Sequence, residues 1–116
     1  MFKKSKAGIL QQALAKLRLI SDNCRPVRDA AGVIGYRFGR WVLVAKPRLY
    51  EGRYVSCHRN RIIMLAIKEG REILFYIRES DVFYMFNPTE IINHPLAWKN
   101  RRAGEVMLNF PVTLGN

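Results

Sequence analysis

Acidic residues are the scarce component of this sequence: nine Asp and Glu stand against twenty Lys and Arg, and none falls between Ala30 and Tyr50. A hard cation such as Mg²⁺ takes oxygen ligands, so that stretch holds no complete site for one. Cysteine is limited to Cys24 and Cys57, too few for a disulfide framework in a chain of 116 residues, and free thiols in a reducing compartment are expected. Long apolar runs are missing as well. No stretch approaches the roughly 20 residues needed to span a bilayer. After the basic start Met1-Phe2-Lys3-Lys4-Ser5-Lys6, the apolar segment is interrupted by Gln11, Gln12, Lys16 and Arg18, which argues against a secretion signal. These absences predict a soluble, cytoplasmic protein with no membrane partner.

What is present is positive charge, unevenly placed. Residues 1–61 carry fourteen Lys and Arg against Asp22, Asp29 and Glu51, a net +11, while residues 62–116 carry six basic and six acidic residues and sum to zero. Clustered positive charge repels itself unless counter-ions or a partner neutralise it, so the cationic half points to a polyanion, and nucleic acid is the first candidate. With 49% hydrophobic residues the chain has the material for one core, and a single domain over 1–116 is expected, with Lys3, Lys4 and Lys6 making a mobile basic arm over 1–6.

Apolar residues Ile9, Leu10, Ala13, Leu14, Leu17 and Ile20, spaced by three and four, predict an amphipathic helix from about Ser5 to Ser21. Val33–Phe38 and Trp41–Ala45, separated by Gly39-Arg40, read as a hairpin with Ile34, Tyr36 and Phe38 on one face and Arg37 on the other. Pro47 breaks the second strand, and a loop through Leu49-Tyr50-Glu51-Gly52 leads into a short extended piece from Arg53 to Ser56. The run Ile62–Ile67 has the composition of either a buried strand or a helix. Helix is favoured, with Ser56 as N-cap and Gly70 as the left-handed stop. Glu72–Arg78, apolar on both faces, reads as a central strand, followed by a strand Val82–Phe86 and a short helix from Asn87 to Asn93 with Pro88 at an early position. Glu105–Val112 completes the pattern as a strand, assigned to an edge because Pro111 cannot donate to a ladder. The order α-β-β-β-α-β-β-α-β defines an α/β fold with a mixed sheet flanked by helices. In it, the piece from Arg53, the second helix and Ile77 form a strand, crossover and strand unit.

Between Gly35 and Ile91 this order resembles the core of the restriction-endonuclease-like PD-(D/E)XK superfamily, in particular the archaeal Holliday-junction resolvase type. In that pattern a hairpin ends in an acidic residue, one spacer and a lysine, and a loop, a helix and an apolar strand follow. Lys46 takes the lysine position at the end of Arg40-Trp41-Val42-Leu43-Val44-Ala45-Lys46, and Ile73-Leu74-Phe75-Tyr76-Ile77 takes the strand. The resemblance implies a nuclease-like scaffold, catalysis centred on Lys46, and Mg²⁺ or Mn²⁺ if cleavage occurs. The acid two residues before the lysine is replaced by Val44. Asp29 and Glu51 are the carboxylates left to serve as catalytic and metal-binding groups, and neither stands at a matching position, which suggests a degenerate site.

The nucleic-acid contacts are assigned to Tyr36, Arg37, Arg40, Arg48, Arg53, Arg59 and Arg61, because guanidinium groups bind phosphate oxygens in pairs and aromatics interleaved with them (Phe38, Trp41, Tyr50, Tyr54) stack on unpaired bases. Cys24, Cys57, His58 and His94 lack zinc-site spacing. Ser56 and His58 share a strand face, a common accident. Three classes of function remain: a nucleic-acid-binding protein, DNA favoured, on a catalytically degenerate scaffold; a nuclease, either metal-dependent or of the metal-independent toxin ribonuclease type; and a protein-interaction module whose basic face meets an acidic partner. Val106, Leu108 and Phe110 are candidates for closing a homodimer sheet edge.

Overall fold

The computed structural model describes residues 6–115, so the predicted basic arm lies outside the described residues except for Lys6, whose backbone opens the first helix. Helix α1 (Lys6–Lys16) forms where the periodicity places it, and Ile9, Leu10, Ala13 and Leu14 are almost fully buried. It ends earlier than Ser21. Leu19 N donates to Leu14 O at 2.9 Å and Arg18 N to Ala15 O at 3.0 Å, with Arg18 left-handed at φ 58°, which is the bond pair of a Schellman close. The apolar spacing continues through Ile20, and periodicity says nothing about where such a close forms.

The chain then runs through an antiparallel meander, β1 (Arg25–Asp29), β2 (Gly32–Phe38) and β3 (Trp41–Lys46). β1 was not expected, since Arg25-Pro26-Val27-Arg28-Asp29 has one strongly apolar residue; that residue, Val27, is buried. The β1–β2 turn is held by Asp29, whose Oδ1 accepts from the N–H groups of Ala31 and Gly32 at 2.8 and 3.1 Å. Pairing shifts between Val27 and Arg28, leaving Ile34 as an extra residue between Val33 and Gly35. This bulge reverses the alternation: Ile34 enters one core and Tyr36 and Phe38 the other, rather than all three sharing a face. Gly35 is required there, since a Cβ would stand 2.7 Å from the Leu43 carbonyl oxygen.

After β3 come β4 (Tyr54–His58) and a helical segment over 59–69, a π-helical turn Arg59–Met64 that continues as α2 (Leu65–Glu69) and stops at Gly70 with φ 66°. The apolar run is therefore a helix, but Ser56 lies buried within β4 and caps nothing. β5 (Glu72–Ile77) pairs in parallel with β3, Lys46 opposite Ile77, and β6 (Val82–Phe86) pairs antiparallel with β5. Helix α3 (Pro88–Ile92) starts as expected, with Asn87 Oδ1 accepting from Thr89 N at 3.0 Å. β7 (Trp98–Arg102) and β8 (Glu105–Pro111) form a hairpin around Ala103 and Gly104, both at positive φ.

The α/β class holds, with two sheets in place of one: order β1-β2-β3-β5-β6 and order β4-β8-β7. The parallel crossover consequently joins β3 to β5, and β4 leaves for the second sheet on the way. Cross-strand pairs Val55 with Phe110 and Cys57 with Leu108 turn the apolar face of β4 into the shared core. β8 is central to its sheet, not an edge, and Pro111 is tolerated because it is the last residue of the strand. The cores lie on either side of the larger sheet. α1 covers Tyr36, Leu43, Ala45 and Tyr76, while the 59–69 helix and the second sheet cover Val42, Val44, Phe75 and Ile77. No helix among the described residues is long and apolar enough to cross a membrane.

Candidate nucleic-acid interface

Parallel pairing brings the ends of β3 and β5 together, so the residues that follow them emerge side by side. Arg78 N donates to Lys46 O at 3.0 Å and Glu79 N to Pro47 O at 2.9 Å, which holds the two exits in register. In open α/β sheets the crevice beyond the carboxyl ends of parallel strands is the usual ligand site. Here that crevice is a cavity of about 530 Å³ lined by Lys46, Arg48, Arg78 and Arg102, with Val55, Phe75 and Ile77 among its apolar walls and no carboxylate. Among the described residues, Arg48, Arg78 and Arg102 have no ion pair. Ser56 also lines the cavity; it is 6% exposed and its Oγ has no hydrogen-bond partner.

A smaller cavity of about 230 Å³ shares Lys46 and Arg102 with the larger one and adds Asp29, His58 and Glu105. His58 Nε2 stands 3.7 Å from Asp29 Oδ2, both side chains being nearly buried. Two of the expected catalytic residues, Lys46 and Asp29, thus meet in one cavity although seventeen positions separate them in the chain, 46 − 29. Glu51 does not join them. It is exposed in the Tyr50–Tyr54 loop at φ 51° and lines neither cavity.

Most of the expected phosphate contacts lie elsewhere. Tyr36 is 8% exposed in the α1 core, where its hydroxyl accepts from Gln11, and its ring has no face open to a base. Arg37 is engaged with Glu69 at 2.9 Å and with Pro26 O at 3.2 Å. Arg71 holds the same carboxylate from the other side at 2.7 Å, and the Arg71 hydrogen bond, followed by that of Arg37, keeps the Glu69 carboxyl below its ordinary range against the opposing effect of burial. Arg40 lies over the Trp41 ring at 4.5 Å and pairs with Glu72 at 3.5 Å, at the opposite end of β3 from Lys46. Arg61 donates to Glu105 at 2.8 Å and to Arg28 O at 3.1 Å, Arg59 to Asn60, and Arg53 covers the Tyr54 ring at 5.1 Å. Only Arg48 of that group lines the cleft.

Arg78, Arg102 and Ser56 escaped sequence reasoning. For Arg78 a signal existed, since it ends the expected central strand at the same level as Lys46. For Arg102 none did, because Trp98-Lys99-Asn100-Arg101-Arg102 shows no apolar alternation and β7 is recognisable only through its pairing with β8. Among the described residues no group of three His, Cys, Asp or Glu side chains is arranged to hold a metal ion. Val44, where the acid of the nuclease pattern stands, is 4% exposed in the core. The residues present therefore do not assemble the carboxylate set that Mg²⁺ or Mn²⁺ chemistry needs. Comparisons with protein-family models, curated proteins and solved structures return no match.

Proposed function

We propose that the protein binds nucleic acid, DNA in the first instance, along the cleft beyond β3 and β5, on a nuclease-like α/β scaffold whose metal site is degenerate. The observation that carries this reading is the convergence of Lys46, Arg48, Arg78 and Arg102 on one cavity with no carboxylate in its wall. A phosphodiester backbone supplies the opposite charge in a linear array, and its oxygens match the guanidinium forks. The order of hairpin, helix and parallel strand around Lys46 supports the nuclease-like scaffold, and the excess charge of +11 supports a polyanionic ligand.

The test is fluorescence anisotropy with single-stranded, duplex and four-way-junction DNA and with RNA over a range of salt. For duplex DNA, replacing Arg48, Arg78 and Arg102 together by Ser is expected to lower the slope of log K against log salt by up to about 3, at about 0.9 per phosphate contact. The same change at Arg40 and Arg59 is expected to alter it little. No binding at about 0.1 M salt, or equal losses in both variants, would contradict the proposal.

A second reading, metal-independent cleavage, is favoured by the His58 and Asp29 pair lying beside Lys46 and Arg102 in the smaller cavity. A histidine oriented by a carboxylate can take the proton of a ribose 2′-hydroxyl as that oxygen attacks phosphorus and the 5′-oxygen leaves, while the cations stabilise the negative charge on the phosphoryl oxygens. It predicts RNA cleavage in the presence of EDTA that His58→Ala abolishes while binding persists; an uncut substrate leaves the binding function alone.

A further inference from the structure

Beside the cationic cleft stands a group of three aromatic rings, two of them open to solvent. Tyr50 is 40% exposed and Trp98 39%, unlike Phe75, Tyr76, Phe86 and Phe110, which are sealed in the cores. The Tyr50 and Trp98 ring centroids are 6.0 Å apart and those of Tyr54 and Trp98 6.1 Å, with interplanar angles of 61° and 84°. These are edge contacts. They orient the rings, yet none of the three is stacked face to face on another. Tyr50 also lines the cleft, so the aromatic group and the cations form one continuous surface.

The rings are held in place by the backbone rather than by an apolar core. Tyr50 and Tyr54 exchange hydrogen bonds, Tyr50 N to Tyr54 O at 2.8 Å and Tyr54 N to Tyr50 O at 2.9 Å, across a three-residue loop. Trp98 begins the edge strand β7, where the fully buried Asn109 donates from Nδ2 to Trp98 O at 3.2 Å and to Asn100 Oδ1 at 3.0 Å. Arg53, over Tyr54, adds a cation to the group.

We infer that Tyr50 and Trp98 form a stacking platform for an unpaired base, which makes the ligand of the cleft single-stranded nucleic acid or a single-stranded region within a larger one. The inference rests on the proposed cleft function and refines it. Bases in a duplex are already stacked and paired, and present only edges in the grooves to a protein surface. A base freed from its partner exposes a π-face, and aromatic side chains next to a groove that follows the phosphates are the recurring means of capturing it. An acidic protein would also satisfy the cations, but exposed rings immediately beside four cations suit a ligand that alternates anions with flat apolar surfaces.

The test uses the Trp41→Phe protein, in which Trp98 is the only tryptophan. Its emission is read while oligothymidylate, oligouridylate or a blunt DNA duplex of equal length is added. The expected result is quenching by at least one of the single strands and none by the duplex at equal saturation. Trp98→Ala is expected to weaken single-strand binding about tenfold, a loss typical of one stacked base, with duplex binding within about twofold of the parent and Trp98→Phe restoring most of the affinity. Tyr50→Ala provides a second variant should Trp98→Ala disturb the β7–β8 hairpin, as judged by thermal unfolding. Equal quenching by duplex and single strands, or loss of both affinities in parallel in folded variants, would overturn the platform while leaving the cleft intact. Failure of every nucleic acid to bind the parent would overturn the cleft itself.

Discussion

Tyr76 shows how one buried polar group ties distant parts of the chain together. It is fully buried, yet its hydroxyl donates to Asp81 at 2.6 Å and accepts from Gln12 at 3.3 Å, and Lys16 reaches the same Asp81 at 2.8 Å. Burial, reinforced by the Asp81 hydrogen bond, pushes the phenol from 10 up to about 12. Since the folded value lies above the unfolded one, the contribution is complete below pH 10 and is lost as pH rises to about 12, a change on the order of 3 kcal/mol. Urea unfolding of the parent and of Tyr76→Phe at pH 8 and above checks this: the substitution is expected to cost about 1 kcal/mol near pH 8 and to flatten the alkaline fall. Glu69 acts at the acid end. Its carboxyl is held low by Arg71 and then Arg37, so its contribution is present above the ordinary 4.5 and is lost as pH falls through the depressed value. In sequence, Arg37 was indistinguishable from an arginine open to phosphate. Only the approach of Glu69 from the end of α2 assigned it to structure.

Among the secondary-structure elements, the expected ones hold wherever composition and period agree: α1, the β2–β3 hairpin, β5, β6 and α3. The failures share a cause. β1 and β7 are polar strands stabilised by neighbours on one side only, and the bulge at Ile34 breaks an alternation that sequence alone presents as regular. Helix ends are equally hidden, since α1 closes on Arg18 in a conformation that favours glycine. Arg18 is exposed and no ion pair involves it among the described residues. Arg18→Gly is therefore expected to stabilise the protein by about 0.5–1 kcal/mol, read as a rise in the thermal midpoint, because relief of the left-handed strain outweighs the added freedom of the unfolded chain. An unchanged or lowered midpoint would mean that the close is not strained.

Across the molecule as a whole, the charge asymmetry takes a different form from the one the first half suggested. Arg37, Arg40 and Arg61 pair with Glu69, Glu72 and Glu105 from the neutral half, while Arg78 and Arg102, also from that half, line the cleft beside Lys46 and Arg48. Among the described residues Arg48, Arg78 and Arg102 have no ion pair, and an anionic ligand that binds beside them stabilises the folded state by mass action. Saturating oligonucleotide is expected to raise the thermal midpoint by several degrees in the parent and by much less in the Arg48, Arg78 and Arg102 triple variant; an equal rise in both would place the binding elsewhere on the surface.

The sequence by itself determined the α/β class, the excess of cation and the lack of any acidic residue between Ala30 and Tyr50, because composition and short-range period are properties of neighbouring residues. It also marked Lys46 and Asp29. Which cations converge was decided by tertiary structure alone: the cleft is assembled from the exits of two parallel strands and one hairpin, and such neighbours, 32 and 56 positions from Lys46 (Arg78 at 78 − 46 = 32, Arg102 at 102 − 46 = 56), leave no local pattern. Burial was settled in the same way, since the bulge at Ile34 and the cover of α1 placed Tyr36 in a core, while the second sheet left Trp98 at the surface.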